Sequence, residues 1–213
     1  SDKNVGTGKT VTITSSYSGA DVSNYSVTDQ SSTTANITAK SLTVSGITAS
    51  DKIYDGSTSA TLTGTAVYSG LVSGDIFTGS YTGVFANANV GTGKTVTITP
   101  SYSGADVNNY TVTDQSSTTA DISAKALTAT ASASNKTYDG GTTASTTLTF
   151  TGLVGSETLG QTVGSTFDNK NVGSNKTVTV NSITLADGSG LAANYSISAG
   201  QTTTANITAK ALT

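Results

Sequence analysis

The stretch "NVGTGKTVTIT" stands at residues 4–14 and returns unchanged at residues 89–99. Its "GKT" resembles the end of a phosphate-binding loop, which has the form Gly-x-x-x-x-Gly-Lys-Ser/Thr and opens a helix. The first glycine of that form is missing, because Lys3 and Ala88 occupy the required positions. The letters "TVTIT" place β-branched residues in a pattern that predicts a strand. We therefore expect a β-hairpin turn, whose glycines supply positive φ, followed by a strand.

The recurrence of this stretch reveals internal repeats. Residues 4–40 and 89–125 align without gaps and are identical at 32 of 37 positions. A third, more diverged copy covers residues 171–210. The upstream stretch "DKIYDGSTSATLTG" at 51–64 also returns, as "NKTYDGGTTASTTLTF" at 135–150. The first two copies are therefore separated by 85 residues, and the two upstream stretches by 84.

These spacings predict three parts of the chain. We expect one full repeat at residues 42–126 and a second at residues 127–213. Residues 1–41 match the second half of a repeat and begin in mid-pattern, so we expect the sequence to be a fragment of a longer protein.

The segment "TTADISAKALTAT" at residues 118–130 joins the two full repeats. Side chains alternate between the two faces of a strand, so Ala120 and Ile122 share one face while Leu127 and Ala129 fall on the other. This change of phase predicts an extended segment that completes one core and opens the next. Neither a Gly/Ser-rich linker nor a proline interrupts the segment, so we expect a stiff connection.

The composition favours an all-β fold. The chain has 44 threonines and 31 serines, and threonine favours strands while serine and glycine favour turns. We expect tandem small β-sandwich-like repeats in an elongated rod. The alternative is a β-grasp-like α+β repeat, for which residues 69–75 and 104–109 are the only candidate helices. The strands predicted for the first full repeat are Leu42–Ala49, Lys52–Tyr54, Ala60–Tyr68, Asp75–Phe85, Lys94–Tyr102, Tyr110–Asp114 and Thr118–Leu127.

The charged and reactive residues exclude several functions. The chain has no cysteine or histidine, so it lacks thiol chemistry and the usual zinc ligands. Ten scattered lysines and a net charge of −3 provide no basic patch for nucleic acid. No apolar run reaches the length of a membrane span, so we expect no membrane insertion of this fragment.

Five tyrosines recur at fixed places in the repeats. Tyr54 and Tyr138 stand in "YDG", and Tyr25, Tyr110 and Tyr195 stand in "NY". They could form an aromatic platform for a ligand. We favour the alternative, in which each is a core residue whose hydroxyl reaches the surface or a backbone partner, because so few aromatic residues are available for the core.

We predict no catalytic residue, no cofactor-binding residue and no metal ligand, and hence no enzymatic activity. Calcium is the remaining candidate ion, because carboxylates are its preferred ligands and Asp51, Asp55, Asp106 and Asp114 lie within one repeat. These aspartates do not form an Asp-x-Asp-x-Asp loop. Seven Asn-x-Ser/Thr sequons are present, about as many as this composition yields by chance.

The motifs "KxYDG", "NVGTGKTVTIT", "SGADxxNYxV" and "TTAxIxAKxLT" occur in this order. Together they resemble the YDG-type repeats of large bacterial surface proteins, including filamentous-haemagglutinin-like adhesins. The resemblance covers both full repeats and the half repeat. It implies a secreted, cell-surface location and a spacer role, in which the partners are other domains of the same adhesin. It carries over no catalytic residues.

Two functions follow from these observations. The first is a stalk that projects an adhesive region from the bacterium, because near-identical tandem copies suit a structural repeat. The second is weak binding of host or matrix glycans or proteins by many repeats together, with Tyr68, Tyr81 and Tyr102 as contacts.

The half repeat at residues 1–41 lacks the "YDG" half and should leave an open apolar face. We expect it to be poorly ordered, or ordered only by edge-to-edge pairing with another molecule. The exposed set would be Val11, Ile13, Tyr25, Val27 and Ile37.

Overall fold

A computed structural model describes residues 2–212. Within these residues the fold is all-β, and the helices are three single 3-10 turns, none of which could cross a membrane. The half repeat contains strands β1 (Gly6–Thr12) and β2 (Ser32–Ile37) and a 3-10 turn at Val22–Asn24.

The first full repeat is built from ten strands and one 3-10 turn at Val107–Asn109. The strands are β3 (Lys40–Ser45), β4 (Thr48–Ala49), β5 (Lys52–Ile53), β6 (Ser59–Ala60), β7 (Leu62–Thr63), β8 (Val67–Ser69), β9 (Thr78–Phe85), β10 (Gly91–Ser103), β11 (Tyr110–Thr113) and β12 (Ser117–Ser123).

The second full repeat follows the same order, with one 3-10 turn at Ala192–Asn194. β13 (Lys125–Ala126) lies in the junction between the repeats. The strands of the second repeat are β14 (Thr128–Ala133), β15 (Lys136–Thr137), β16 (Thr143–Ala144), β17 (Thr146–Thr151), β18 (Leu159–Phe167), β19 (Gly173–Asp187), β20 (Tyr195–Ser196) and β21 (Thr202–Thr208).

The polypeptide divides into two compact units whose limits differ from those of the sequence repeats. The first unit contains Ser1–Ala49, Thr61–Gly83 and Thr97–Thr118. The second contains Ser50–Ala60, Val84–Val96 and Thr119–Thr213. The half repeat thus shares a unit with part of the first full repeat.

Each full repeat has a five-stranded sheet with the same arrangement. The orders are β5-β12-β10-β9-β6 in the first repeat and β15-β21-β19-β18-β16 in the second. In the second sheet β15 pairs with β21 in parallel and the other pairs are antiparallel. The segment between the repeats contributes strands to three different sheets, because β12, β13 and β14 each pair with different strands. This agrees with the change of side-chain phase predicted there.

The core of the second repeat lies on one face of its five-stranded sheet. Phe167, Val178 and Ile207 are buried there at 0–3% exposure. Half-buried Ala133 of β14 packs against this cluster. β14 also pairs antiparallel with β17. These alternating apolar positions produce the thin core expected from the composition.

Two facing glycines split strands that the sequence predicts as continuous. Gly46 interrupts Leu42–Ala49 and Gly64 interrupts Ala60–Tyr68, both with positive φ (86° and 81°). A Cβ on Gly64 would lie 2.4 Å from the Gly46 carbonyl oxygen, so only glycine fits. Beyond the two glycines the short strands β4 and β7 pair with each other.

The β-grasp-like alternative is wrong, because no α-helix occurs between residues 2 and 212. The candidate helix at 104–109 is reduced to the 3-10 turn at Val107–Asn109. The candidate at 69–75 contains a turn closed by a hydrogen bond from the Asp75 amide to the Val72 carbonyl.

The glycines of "NVGTGKT" do not form the predicted hairpin turn. Gly8 and Gly93 have the expected positive φ of 62° and 58°, but Gly8 lies at a β-bulge inside β1. Gly93 lies within β10. The Gly8 amide donates to Asn36 Oδ1 of β2, and the Gly93 amide donates to Asp121 Oδ1 of β12. In the third copy Asn175 replaces this glycine and has φ 52°. A β-bulge can require a residue in the left-handed conformation, as a hairpin turn does. A glycine in the sequence therefore indicates either structure.

The half repeat has strand pairing of its own within the single chain, and its expected poor order in solution stays a prediction. Its two strands pair as an antiparallel hairpin. The predicted exposed set is confirmed, with Tyr25 at 74% and Val27 at 49% exposure. Self-association through residues 1–41 stays a prediction.

Candidate functional site

The "YDG" motif of the first repeat is a turn closed by a lysine. Lys52 Nζ lies 2.8 Å from Asp55 Oδ1 and 2.7 Å from the Ser57 carbonyl oxygen. Asp55 also accepts the Ser57 amide at 2.8 Å. Gly56 supplies a positive φ of 78°. The hydrogen bond from Lys52 lowers the pKa of Asp55, so the turn holds an ionised carboxylate.

The second repeat builds the same turn with the same atoms. Lys136 Nζ lies 2.8 Å from both Asp139 Oδ1 and the Gly141 carbonyl oxygen. The ammonium group also lies 5.6 Å from the centre of the Phe167 ring, as Lys52 lies 5.5 Å from its counterpart. These turns fix the position of the tyrosine that precedes each aspartate.

Tyr54, Glu157 and Tyr195 form a cluster that we call the Glu157 clamp. The hydroxyl of Tyr54 donates to Glu157 Oε1 at 2.7 Å, and that of Tyr195 donates to Oε2 at 2.6 Å. The two rings meet edge to face with centroids 5.4 Å apart. Both tyrosines are 5% exposed. One carboxylate therefore bridges the "YDG" tyrosine of the first repeat and the "NY" tyrosine of the second.

Both hydroxyls of this clamp are held in the protonated form. The hydrogen bond to Glu157, together with burial, raises the pKa of Tyr54 to about 12. Burial, followed by the bond to Glu157, raises the pKa of Tyr195. At neutral pH both groups are hydrogen-bond donors to the carboxylate, and charge-assisted bonds of this kind are stronger than neutral ones.

Asn194 extends the contact between the two repeats. It is 1% exposed, its Oδ1 accepts the Val90 amide at 2.9 Å, and its Nδ2 donates to Asn89 Oδ1 at 3.1 Å. Alongside, Lys125 of β13 pairs in parallel with Tyr195 of β20. The "NVG" and "AKALT" stretches of one repeat are thus bound by the "NY" stretch of the next.

The half repeat meets the first full repeat through an equivalent cluster, which we call the Asp75 clamp. Tyr110 donates to Asp75 Oδ2 at 2.6 Å. The other carboxylate oxygen accepts from Lys3 Nζ at 2.6 Å. Lys3 also lies 2.8 Å from Asp106 Oδ1. The Val5 amide donates to Asn109 Oδ1 at 2.9 Å, as Val90 does to Asn194.

Lys3 controls the charge of the Asp75 clamp. Its hydrogen bond is the main cause that lowers the pKa of both Asp75 and Asp106. The same two partners raise the pKa of Lys3. An ammonium group therefore occupies here the role that the Tyr54 hydroxyl has in the Glu157 clamp.

The core position of the recurrent tyrosines is confirmed for Tyr54, Tyr110 and Tyr195, which are buried. Their hydroxyls were expected to reach the surface or a backbone partner, and those of Tyr110 and Tyr195 do accept a backbone amide. Each of the three hydroxyls, however, donates to a side-chain carboxylate. Tyr138 is half-buried and Tyr25 is exposed. Each of these two is the counterpart of a clamp residue.

The three tyrosines proposed as ligand contacts are half-buried and bonded to one another or to the core. Tyr81 donates to the Tyr68 hydroxyl at 3.1 Å. Tyr102 donates to Asp114 Oδ1 at 2.5 Å. The rings of Tyr68 and Tyr102 lie 5.3 Å and 5.1 Å from Phe77. These contacts place the rings of Tyr68 and Tyr102 against one core aromatic, and Tyr81 beside both of them.

The four aspartates considered for calcium each have a protein partner. Asp51 accepts the Asp121 amide, Asp55 and Asp106 pair with lysines, and Asp114 accepts from Tyr102. No group of three or more acidic, histidine or cysteine side chains is gathered for a metal in the described residues. Calcium binding stays a prediction.

Sequence reasoning missed the two carboxylates of the clamps. A signal was present, because Asp75 and Glu157 each stand three residues after a "GLV" triplet, in "GLVSGD" and "GLVGSE". In both copies the valine amide donates to the clamp tyrosine, from Val72 at 3.0 Å and Val154 at 2.9 Å. Acids at matching positions of aligned repeats would have marked the site.

A sequence profile of the YDG domain matches residues 38–120 and 123–205. The chain belongs to the YDG domain family. The matched ranges begin four residues before the repeat starts predicted from the spacing, at 42 and 127. Comparisons with curated proteins and with solved structures found no match.

Proposed function

We propose that these YDG repeats are spacer elements in the stalk of a secreted bacterial surface adhesin. In this role they hold an adhesive region away from the cell and support adhesion and biofilm formation. One observation carries the proposal. The Glu157 clamp uses the recurrent Tyr54 and Tyr195 to join one repeat to the next. Two tyrosines that recur at fixed places in the repeats are therefore engaged in joining one repeat to the next.

A stalk requires junctions that resist bending, and the connection has the features this demands. Residues 124–128 pass between the repeats without a glycine or proline. The backbone of that segment pairs with the following repeat through the Lys125–Tyr195 register and a 2.8 Å bond from the Leu127 amide to the Ser196 carbonyl. The proposed partners are other domains of the same adhesin, and the role requires no catalysis.

The location can be tested on the bacterium that makes the protein. Antibodies raised against the 213-residue chain should label intact cells, and an external protease should remove the label. Labelling only after the cells are broken would contradict the proposed cell-surface location.

A second candidate function is direct binding of glycans or matrix proteins by the first repeat. It is favoured by the cluster of Tyr68, Tyr81 and Tyr102, which is absent from the second repeat. Tyr68 and Tyr81 of this cluster line a cavity of about 490 Å³. Glycan and matrix-protein arrays probed with the purified chain separate the two functions. A spacer gives no saturable binding, whereas a binding module gives binding that Tyr81→Val abolishes, since Val163 occupies the matching position of the second repeat.

A further inference from the structure

One end of the second repeat carries a surface that we call the terminal face. It is defined by Tyr138, Asn171, Val172, Lys210 and Leu212, which with Ala209 line a cavity of about 490 Å³. Val172 is 55% exposed and Leu212 is 98% exposed. Two large apolar side chains therefore face solvent beside a half-buried tyrosine.

Every residue of the terminal face has a counterpart inside the chain, and two of these counterparts, Tyr54 and Leu127, are buried. The counterparts are Tyr54, Asn89, Val90, Lys125 and Leu127. Tyr54 and Leu127 are only 5% and 6% exposed, because the second repeat packs over them. The difference in exposure between Leu127 and Leu212 arises although both lie in the identical sequence "AKALT".

The backbone of the terminal face already has the geometry of its covered counterpart. The Tyr138 amide donates to the Thr208 carbonyl at 2.8 Å, as the Tyr54 amide donates to Ser123 at 2.9 Å. The Asn171 amide donates to Asn169 Oδ1 at 3.0 Å, and the equivalent bond of Asn89 is 3.1 Å. The backbone at Tyr138 and Asn171 therefore needs no rearrangement before a partner binds, which lowers the entropic cost of association.

We propose that the terminal face is a docking site for a further YDG repeat. The required partner carries a carboxylate at the position of Glu157, an Asn-Tyr pair at the position of Asn194 and Tyr195, and a free strand edge after them. The partner's carboxylate accepts a hydrogen bond from the Tyr138 hydroxyl, and its asparagine accepts one from the Val172 amide. The partner's strand pairs in parallel with residues 210–212. This inference deepens the proposed function and rests on it.

The test is an extended protein in which residues 129–213 are repeated directly after Thr213, so that the "AKALT" junction continues in register. Hydrogen–deuterium exchange of the Val172 amide is compared between the parent and the extended protein. The Val90 amide, which is bonded to Asn194 in both, is the internal reference. We expect Val172 to exchange at least 10-fold more slowly in the extended protein and to approach the rate of Val90.

A matched variant separates docking from mere attachment. Replacing only the appended counterpart of Asn194 with alanine should restore fast exchange at Val172 and leave Val90 protected. Protection of the appended counterpart of Val178, a fully buried core residue, verifies that the added repeat is folded.

Two results would overturn the inference. The first is a folded appended repeat with Val172 exchanging as fast as in the parent. The second is concentration-dependent protection of Val172 in the parent itself, which would mean that the face binds a surface of the existing chain. These exchange results are independent of the cell-surface labelling that tests the proposed function. A failure of the docking site can therefore be distinguished from a failure of the spacer role.

Discussion

The hydroxyl of Tyr54 donates a 2.7 Å hydrogen bond to Glu157, which lies 103 residues further along the chain. The tyrosine belongs to the "YDG" motif of the first repeat and the acid belongs to the second. In the first repeat, the YDG motif therefore makes a contact outside its own repeat. Asp55 of this motif and the preceding Lys52 close the turn, and Tyr54 forms the hydrogen bond to the second repeat.

Replacing Tyr54 with phenylalanine removes the hydroxyl and keeps the buried ring. We expect the free energy of unfolding to fall by about 1.5–3 kcal/mol, because a hydrogen bond to a charged group is lost. Urea denaturation measures the change. Tyr138→Phe is the matched control, since it alters the same motif on the terminal face, and it should change stability by less than about 0.5 kcal/mol. Equal losses for the two variants would refute a special role for the Glu157 clamp.

The Asp75 clamp should release at low pH. Lys3 holds the pKa of Asp75 and Asp106 below the ordinary value of 3.8, so the folded state binds these protons less readily than the unfolded state. The ionised Asp75 and Asp106 therefore stabilise the folded state fully at pH values above their ordinary pKa. This stabilisation is lost as the pH falls through their lowered pKa values in the folded protein. The Val5 amide reports this loss by hydrogen exchange, corrected for the intrinsic effect of pH.

A lysine variant tests the cause of that acid response. In Lys3→Ala the Val5 amide should exchange faster at pH 7, and the additional release below pH 4 should shrink because the ammonium partner is gone. Lys170→Ala removes an exposed lysine elsewhere and should leave the Val5 amide unchanged. Acid release that is the same with and without Lys3 would assign the effect to other groups.

The Glu157 clamp should weaken at high pH. The pKa of Tyr54 is raised from 10.0 to about 12, so its stabilising effect is complete below pH 10 and is lost between pH 10 and 12. Tyrosinate absorbance near 295 nm should show one fewer group ionising near pH 12 in Tyr54→Phe than in the parent, where the pKa of Tyr81 is also raised to about 12. A parent in which all tyrosines titrate near pH 10 would contradict the clamp.

The bulge glycine should tolerate asparagine better than valine. Gly93 has φ 58°, and nothing lies within 4 Å of a Cβ built on it, so backbone strain alone decides the cost. Asparagine visits this conformation with little strain, as Asn175 does in the second repeat. We expect Gly93→Val to cost about 1–2 kcal/mol in urea denaturation, and Gly93→Asn to cost clearly less. The reverse order would show that a side-chain contact decides this position.

The strands could be predicted because threonine and apolar residues alternate locally, as in "TVTIT" at residues 95–99. The division of strands at Gly46 and Gly64 could not, because it depends on two backbones meeting. The clamp carboxylates were missed for a similar reason. Tyr110 meets Asp75 across 35 residues and Tyr54 meets Glu157 across 103, and periodicity within one strand contains no information on such pairs.

The most direct test of a stiff stalk is small-angle X-ray scattering of the 213-residue chain in dilute solution. If strands of about ten residues run along the axis at about 3.3 Å per residue, each repeat adds about 35–45 Å to the length. Two and a half such repeats predict a radius of gyration of about 30 Å and a maximum dimension of about 90–110 Å. A radius of gyration of about 17 Å, as expected for a compact globule of this chain length, would contradict the proposal that the repeats form an elongated stalk.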